Sequence, residues 1–170
     1  MTDLDRDAIE RIVRAIGDRL AGEWLIVGGA ALALWVTPRR LTEDVDVVAM
    51  VHTGGERLAL LELAHDLGLP VESVNSAAEF FVRRIEGWES HLELVYRGRL
   101  SAVHRPDATL MLLLKLGRLS ERDLDDCRAV VGSGAPFDGE RIQQAITALP
   151  ATDDGALGAR REALLRLAKG

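Results

Sequence analysis

Apolar residues near the start of the chain recur at helical spacing. Ile9, Ile12, Val13, Ile16 and Leu20 are separated by charged positions, which predicts an amphipathic helix over 4–20. Trp24-Leu25-Ile26-Val27 is then a continuous apolar run stopped by Gly28-Gly29, the pattern of a buried strand entering a tight turn. Ala30 to Trp35 is rich in Ala and Leu and predicts a short helix, ended by Pro38. Residues 44–49 alternate acid with valine before becoming apolar, as a strand entering a core does. His52-Thr53-Gly54-Gly55 reads as a loop, and 56–67 as a second amphipathic helix closed by Gly68 and Pro70.

Further on, Phe80 to Ile85 and His91 to Tyr96 flank Glu86-Gly87-Trp88-Glu89 and predict an antiparallel hairpin. Pro106 suits a first helical position, and helices are expected from there to about Leu116 and from Ser120 to about Val131. Two more are expected over 138–148 and 155–168. The chain has no internal repeat and no low-complexity tract. The pattern is α+β: a small mixed or antiparallel sheet flanked by helices in residues 1–104, and a helical C-terminal region, 105–170, packed on it.

Composition narrows the function. The chain has 170 residues, 48% of them apolar, enough for one domain with a helical extension. Its net charge of -6 argues against nonspecific nucleic-acid binding, while Arg39-Arg40 and Arg83-Arg84 leave room for local basic patches. The single cysteine, Cys127, rules out a disulfide within the chain and a thiolate zinc cluster. It falls with Leu124 and Val131 on an apolar helix face, the setting of an inert buried thiol. No run of about 18 apolar residues suggests a membrane span. The early acids Asp3, Asp5 and Asp7 are unlike a signal or transit peptide, so a cytoplasmic protein is expected. The four histidines show no metal-ligand spacing.

The chemistry is concentrated in a few acids. Asp44 and Asp46 alternate with Val45 and Val47, so on a strand both carboxylates share one face. Two neighbouring carboxylates repel, and such a pair suits a hard divalent cation; a solvated strand edge is the competing reading. Glu93, in the apolar run Leu92-Glu93-Leu94-Val95, completes a triad if its strand lies beside the first, and otherwise faces solvent. Gly28-Gly29, between strand and helix, lets phosphate approach backbone amides, although most such pairs are only turns. The pair is neither a P-loop nor a dinucleotide fingerprint. Lys115, on an apolar helix, either snorkels to the surface or points into an acidic cleft. Asp123 lies in Ser120-Glu121-Arg122-Asp123, which also reads as a capping box.

The run Leu25-Ile26-Val27-Gly28-Gly29-Ala30, followed by Arg40-Leu41-Thr42-Glu43-Asp44-Val45-Asp46, resembles the signature of the nucleotidyltransferase superfamily. In the form carried by Arg40, Thr42, Asp44 and Asp46 it is similar to the abortive-infection nucleotidyltransferase toxins and related bacterial families. Lys115 and the segment Arg122-Asp123-Leu124-Asp125-Asp126 resemble their helical C-terminal motif. The resemblance touches residues 24–50 and 110–131. It implies the minimal polymerase-beta-like fold and transfer of a nucleoside monophosphate from a nucleoside triphosphate to an acceptor hydroxyl, with release of pyrophosphate. By the same resemblance, Asp44, Asp46 and Glu93 bind Mg2+ or Mn2+. Gly28, Gly29, Arg40 and Thr42 bind the nucleotide, Lys115 reaches its phosphates, and Asp123 organises the site or positions the acceptor. The implied partners are the triphosphate, an acceptor that is RNA, protein or a small molecule such as an aminoglycoside or lincosamide, and an antitoxin protein if the chain is a toxin. Many members carry a serine after the first glycine or after the pair, whereas here Ala30 follows Gly29, so one phosphate donor is missing. That departure keeps a second reading open: a nucleotide-binding or protein-interaction module of the same fold with weak or no catalysis. An unrelated α+β protein with a coincidental acid pair is the third.

Overall fold

A computed structural model describes residues 3–170. The chain forms two compact units, one through Pro106 and one from Asp107, so the first runs two residues beyond the boundary read from sequence. Helix α1 (Arg6–Arg19) starts at Asp5, whose carboxylate accepts from the Ala8 amide at 2.8 Å. It buries Ile9, Ile12, Val13 and Ile16, the stripe its periodicity predicts. Strand β1 (Gly22–Ile26), helix α2 (Gly28–Trp35) and strand β2 (Val45–Ala49) follow. Helix α3 (Glu56–Asp66), the two-residue strand β3 (Val74–Asn75) and helix α4 (Glu79–Arg83) come next. Strands β4 (Leu92–Arg97) and β5 (Ser101–Pro106) complete the first unit.

The five strands order as β3-β2-β1-β5-β4. β1 runs antiparallel to β2 and parallel to β5, β2 parallel to β3, and β4 antiparallel to β5. The sheet is therefore mixed. Leu25, Ile26, Val45, Val47, Val48 and Val103 are fully buried in it, which explains the unbroken apolar runs of the central strands.

Three sequence expectations change. Pro106 is not a first helical residue but the last of β5, and the helix after it starts at Ala108 with Asp107 as its cap. Phe80 to Ile85 is not a strand. Residues 79–83 form α4, tied by an Arg83–Glu79 pair at 2.7 Å one helical turn apart, with Arg83 also donating to the Ala49 carbonyl at 2.7 Å. Only Val82 of this segment is buried, while Phe80 and Phe81 stay exposed, so alternation in the letters does not correspond to alternation of faces. The hairpin partner of β4 is instead β5, a strand that the small residues Ser101 and Ala102 do not announce.

The second unit consists of α5 (Ala108–Lys115), α6 (Glu121–Gly132), α7 (Gly139–Thr147) and α8 (Gly155–Ala168). Each begins at a polar cap, Asp107, Ser120, Asp138 and Asp154, whose side chain accepts a first-turn amide. Between α5 and α6 lies a buried ion cluster. The Lys115 ammonium donates to Asp126 at 2.6 Å and to Asp123 at 3.1 Å. Arg118 adds two bonds to Asp123, at 2.9 and 3.1 Å, and Asp123 closes the capping box with Ser120. Burial alone raises the Asp123 carboxyl, but the Arg118 and Ser120 hydrogen bonds and the Lys115 charge outweigh it and hold the group well below its usual range. Cys127 is buried on the same helix and its thiol is pushed up to about 12, first by desolvation, as expected of an inert thiol. No described helix is long and apolar enough to cross a membrane.

Removing the ammonium leaves two buried carboxylates without their shared counter-ion. Lys115→Met is expected to cost roughly 3–5 kcal/mol in urea unfolding, while Arg118→Met, from a largely exposed side chain, costs about 1 kcal/mol or less. Because the folded-state pKa of Asp123 is depressed, its contribution is complete above the ordinary carboxyl value of 3.8 and is lost as pH falls below it; Asp123→Asn should flatten the acid limb of the stability curve.

Candidate functional site

The acids sit where β2 begins. Val45 and Val47 are fully buried, and Asp44 and Asp46 lie on the other, half-buried face. The chain is steered into that register from three sides. Leu4 and Thr42 exchange backbone bonds at 2.7 and 3.1 Å, which pins the segment before the strand to the start of the chain. The Thr42 hydroxyl donates to the Asp44 carbonyl at 3.2 Å. The Val27 amide donates to the Asp46 carbonyl at 3.0 Å, joining the end of β1 to the acid.

That last bond brings the glycine turn over the carboxylates. Gly28 has φ +64, a conformation that suits glycine, and a methyl group there would sit 3.3 Å from the Asp46 Oδ2. A methyl group at Gly29 would sit 2.8 Å from the Thr42 hydroxyl and 3.1 Å from the Arg40 Nε. Five of the sequence-predicted residues, Gly28, Gly29, Arg40, Thr42 and Asp46, are thus gathered around the N-terminus of α2, with Asp44 beside them. The helix's N-cap is Val27, which has no polar side chain to cap it. Its first-turn amides are aligned donors of the kind that hold phosphate. Ala30, which offers no hydroxyl to a phosphate, is buried in the helix.

Asp46 bears the electrostatic consequence. Burial, and then the neighbouring Asp44 charge, push its carboxyl from 3.8 up to about 6. Asn75 stabilises the other acid. It lies opposite Asp46 in the β2–β3 register, and its side-chain amide donates to Asp44 Oδ2 at 3.3 Å and to the Glu72 carbonyl at 3.1 Å. Its own carbonyl accepts from the Ala77 amide at 2.8 Å. Sequence reasoning missed Asn75, because a two-residue strand carries no periodicity to find it by.

One predicted residue, Glu93, is placed differently from expectation. Glu93 lies on β4, the far edge of the sheet from β3, with β5 and β1 between it and β2. Three strand spacings amount to roughly 14 Å. Its register partner is Arg105, which the β1–β5 register of Leu25 with His104, continued by one residue, sets in line with Ile26 and Val47, so Glu93 also falls on the sheet face opposite to Asp46. There it pairs with Arg105 at 2.5 Å, and the Arg105 guanidinium stacks over Trp35 at 3.9 Å. The predicted triad is therefore not assembled, and no cluster of three metal-ligating side chains occurs among the described residues. Lys115 and Asp123 meet each other in the helical unit: the ammonium expected on phosphate is bonded to two buried aspartates, and Asp123 is a capping-box residue.

Two outcomes follow from this packing. Gly29→Ala is expected to lower stability by about 1–3 kcal/mol through overpacking. The loss should be smaller in a Thr42→Ala background, a non-additivity that thermal denaturation of the four proteins resolves. Asp46 is more easily protonated in the folded chain, so its favourable contribution is complete below 3.8 and is lost as pH rises through about 6. Asp46→Asn should therefore gain stability over wild type across that window, by about 3 kcal/mol at most, as measured by urea unfolding at pH 4 and pH 7.5.

No curated protein and no solved structure matches the chain significantly. A family model described as nucleotidyltransferase of unknown function (DUF6036) matches residues 1–135, which take in the whole α/β unit, α5 and α6. With the mixed sheet and the glycine turn beside an acid pair, this match makes the chain a member of the DUF6036 family of nucleotidyltransferases.

Proposed function

We propose that the chain transfers a nucleoside monophosphate from a nucleoside triphosphate to an acceptor hydroxyl in a magnesium-dependent reaction. The observation that carries this reading is the placement of the Asp46 carboxylate against Gly28, at the first turn of α2. Phosphate-binding amides and a carboxylate pair are thereby set side by side. Two oxygen donors on one face, one of them pushed up to about 6 by burial and by its neighbour, suit a hard divalent cation that takes one or two carboxylates and completes its shell with phosphate and water. When bound, such a cation neutralises charge on the phosphate oxygens.

The chain's own residues supply alignment. Gly28 and Gly29 allow the triphosphate to approach the α2 amides, and Thr42 and Arg40, packed on Gly29, set the rim of that approach. Val27 and Asn75 hold β2 and Asp44 in place. The acceptor oxygen bonds to the α-phosphorus, the bond from that phosphorus to the bridging oxygen breaks, pyrophosphate leaves, and the hydroxyl proton passes to water. Phosphoryl-type transfer of this kind depends on positioning and charge more than on covalent help. A second reading, nucleotide binding with weak or no catalysis, draws on Ala30 and on the location of Glu93 at the opposite sheet edge.

Incubation with α-labelled ribonucleoside triphosphates and magnesium, in the presence of cell extract, tests both readings. Transfer of label by wild type and a loss of about a hundredfold or more in Asp46→Asn is expected if the pair acts on the transition state. Magnesium-dependent nucleotide binding without transfer would favour the second reading, and absence of binding would remove both.

A further inference from the structure

Beside the acid pair, on the side away from the glycine turn, the first unit has a cleft of about 560 Å3. β2 lies between β1 and β3. The turn that follows β1 approaches Asp46, whereas the cleft is built on the β3 side and borders Asp44. Leu60 and Leu61 of α3 with Pro70 and Val71 form its apolar wall, and its charged groups are Glu43, Asp44, Glu72 and Arg57. Asn75 joins cleft and acid pair, since it bonds Asp44, the Glu72 carbonyl and the Ala77 amide at once.

We propose that this cleft holds the acceptor, and that the acceptor is a small hydroxylated cation rather than RNA or protein. The inference rests on the transferase reading above and extends it to the second substrate. In-line displacement requires the attacking and leaving oxygens on opposite sides of the phosphorus. With the triphosphate on the α2 amides, an acceptor in the cleft approaches across the carboxylates from the other side. The volume falls within the 300–1,000 Å3 common for small-molecule sites. The charge favours a cation: even with Asp44 engaged by a metal, Glu43 and Glu72 face a single Arg57, a balance that repels a phosphate backbone. Val71, 78% exposed at the cleft, offers an apolar contact surface to a ligand.

Glu72 makes the test clean. It has φ +73, at the third position of a turn closed by the Ser73 amide on the Pro70 carbonyl at 3.1 Å, where glycine sits without strain. Glu72→Gly therefore removes a cleft charge while easing the backbone. The experiment offers labelled nucleoside triphosphate and magnesium with four separate acceptor pools: the cation-exchange-retained and anion-exchange-retained small molecules of a cell extract, total RNA, and extract protein. Label is expected in the cation-exchange-retained pool. Glu72→Gly should raise the melting temperature, and it should raise the KM for that pool by about fivefold, well beyond any change in the KM for nucleotide, as expected for one exposed charge pair. Label on RNA, on protein or in the anionic pool would overturn the cleft assignment and leave the transferase standing, as would an unmoved acceptor KM in Glu72→Gly. Label in none of the pools would defeat both readings.

Discussion

One backbone hydrogen bond, from the Val27 amide to the Asp46 carbonyl, holds the site together. It extends the β1–β2 register of Trp24 with Ala49, Leu25 with Val48 and Ile26 with Val47. All six of these side chains are buried, so a slip by one residue would turn Asp46 into the core and Val47 out of it. The register is thus enforced by hydrophobic burial along the strand, and its functional result appears at the strand's end. The chain leaves β1 into a glycine turn, and the turn arrives beside the acid.

The two units treat neighbouring aspartates in opposite ways. In the helical unit, Asp123 and Asp126 share the Lys115 ammonium, and buried charge is matched within the protein. At the start of β2, Asp44 receives a neutral amide from Asn75, and Asp46 is driven toward its protonated form by burial and by Asp44. The first arrangement stabilises a fold. The second is raised in energy at neutral pH, and a cation bound there would relieve it, which is the physical basis of the proposed metal binding.

The corrections to the reading from sequence share a cause. Glu93 sits in a strand with the alternation expected of it, but strand order is not encoded in alternation, and β4 pairs with β5 at the edge remote from β2. Phe80 and Phe81 look like strand residues until the helix around Glu79 and Arg83 leaves both exposed. Lys115 could be read as a phosphate ligand or a surface lysine, and its two buried acid partners lie eight and eleven positions away on the next helix. In each case a contact reaches outside the window that local pattern covers: Glu93 to Arg105, Arg83 to the Ala49 carbonyl, and Lys115 to Asp123 and Asp126.

Periodicity and order along the chain were enough for every helix but α4, the central strands β1 and β2, the turn at Gly28-Gly29 and the shared face of Asp44 and Asp46, because each follows from a repeat of two or of 3.6 residues or from the backbone freedom of glycine. Packing in three dimensions was needed to find β5, to bring Asn75 onto Asp44, to take Glu93 away from the acid pair, and to open the cleft beside β3. Those features depend on which strands become neighbours, and that choice is made by burial summed over the whole unit rather than by any segment of it.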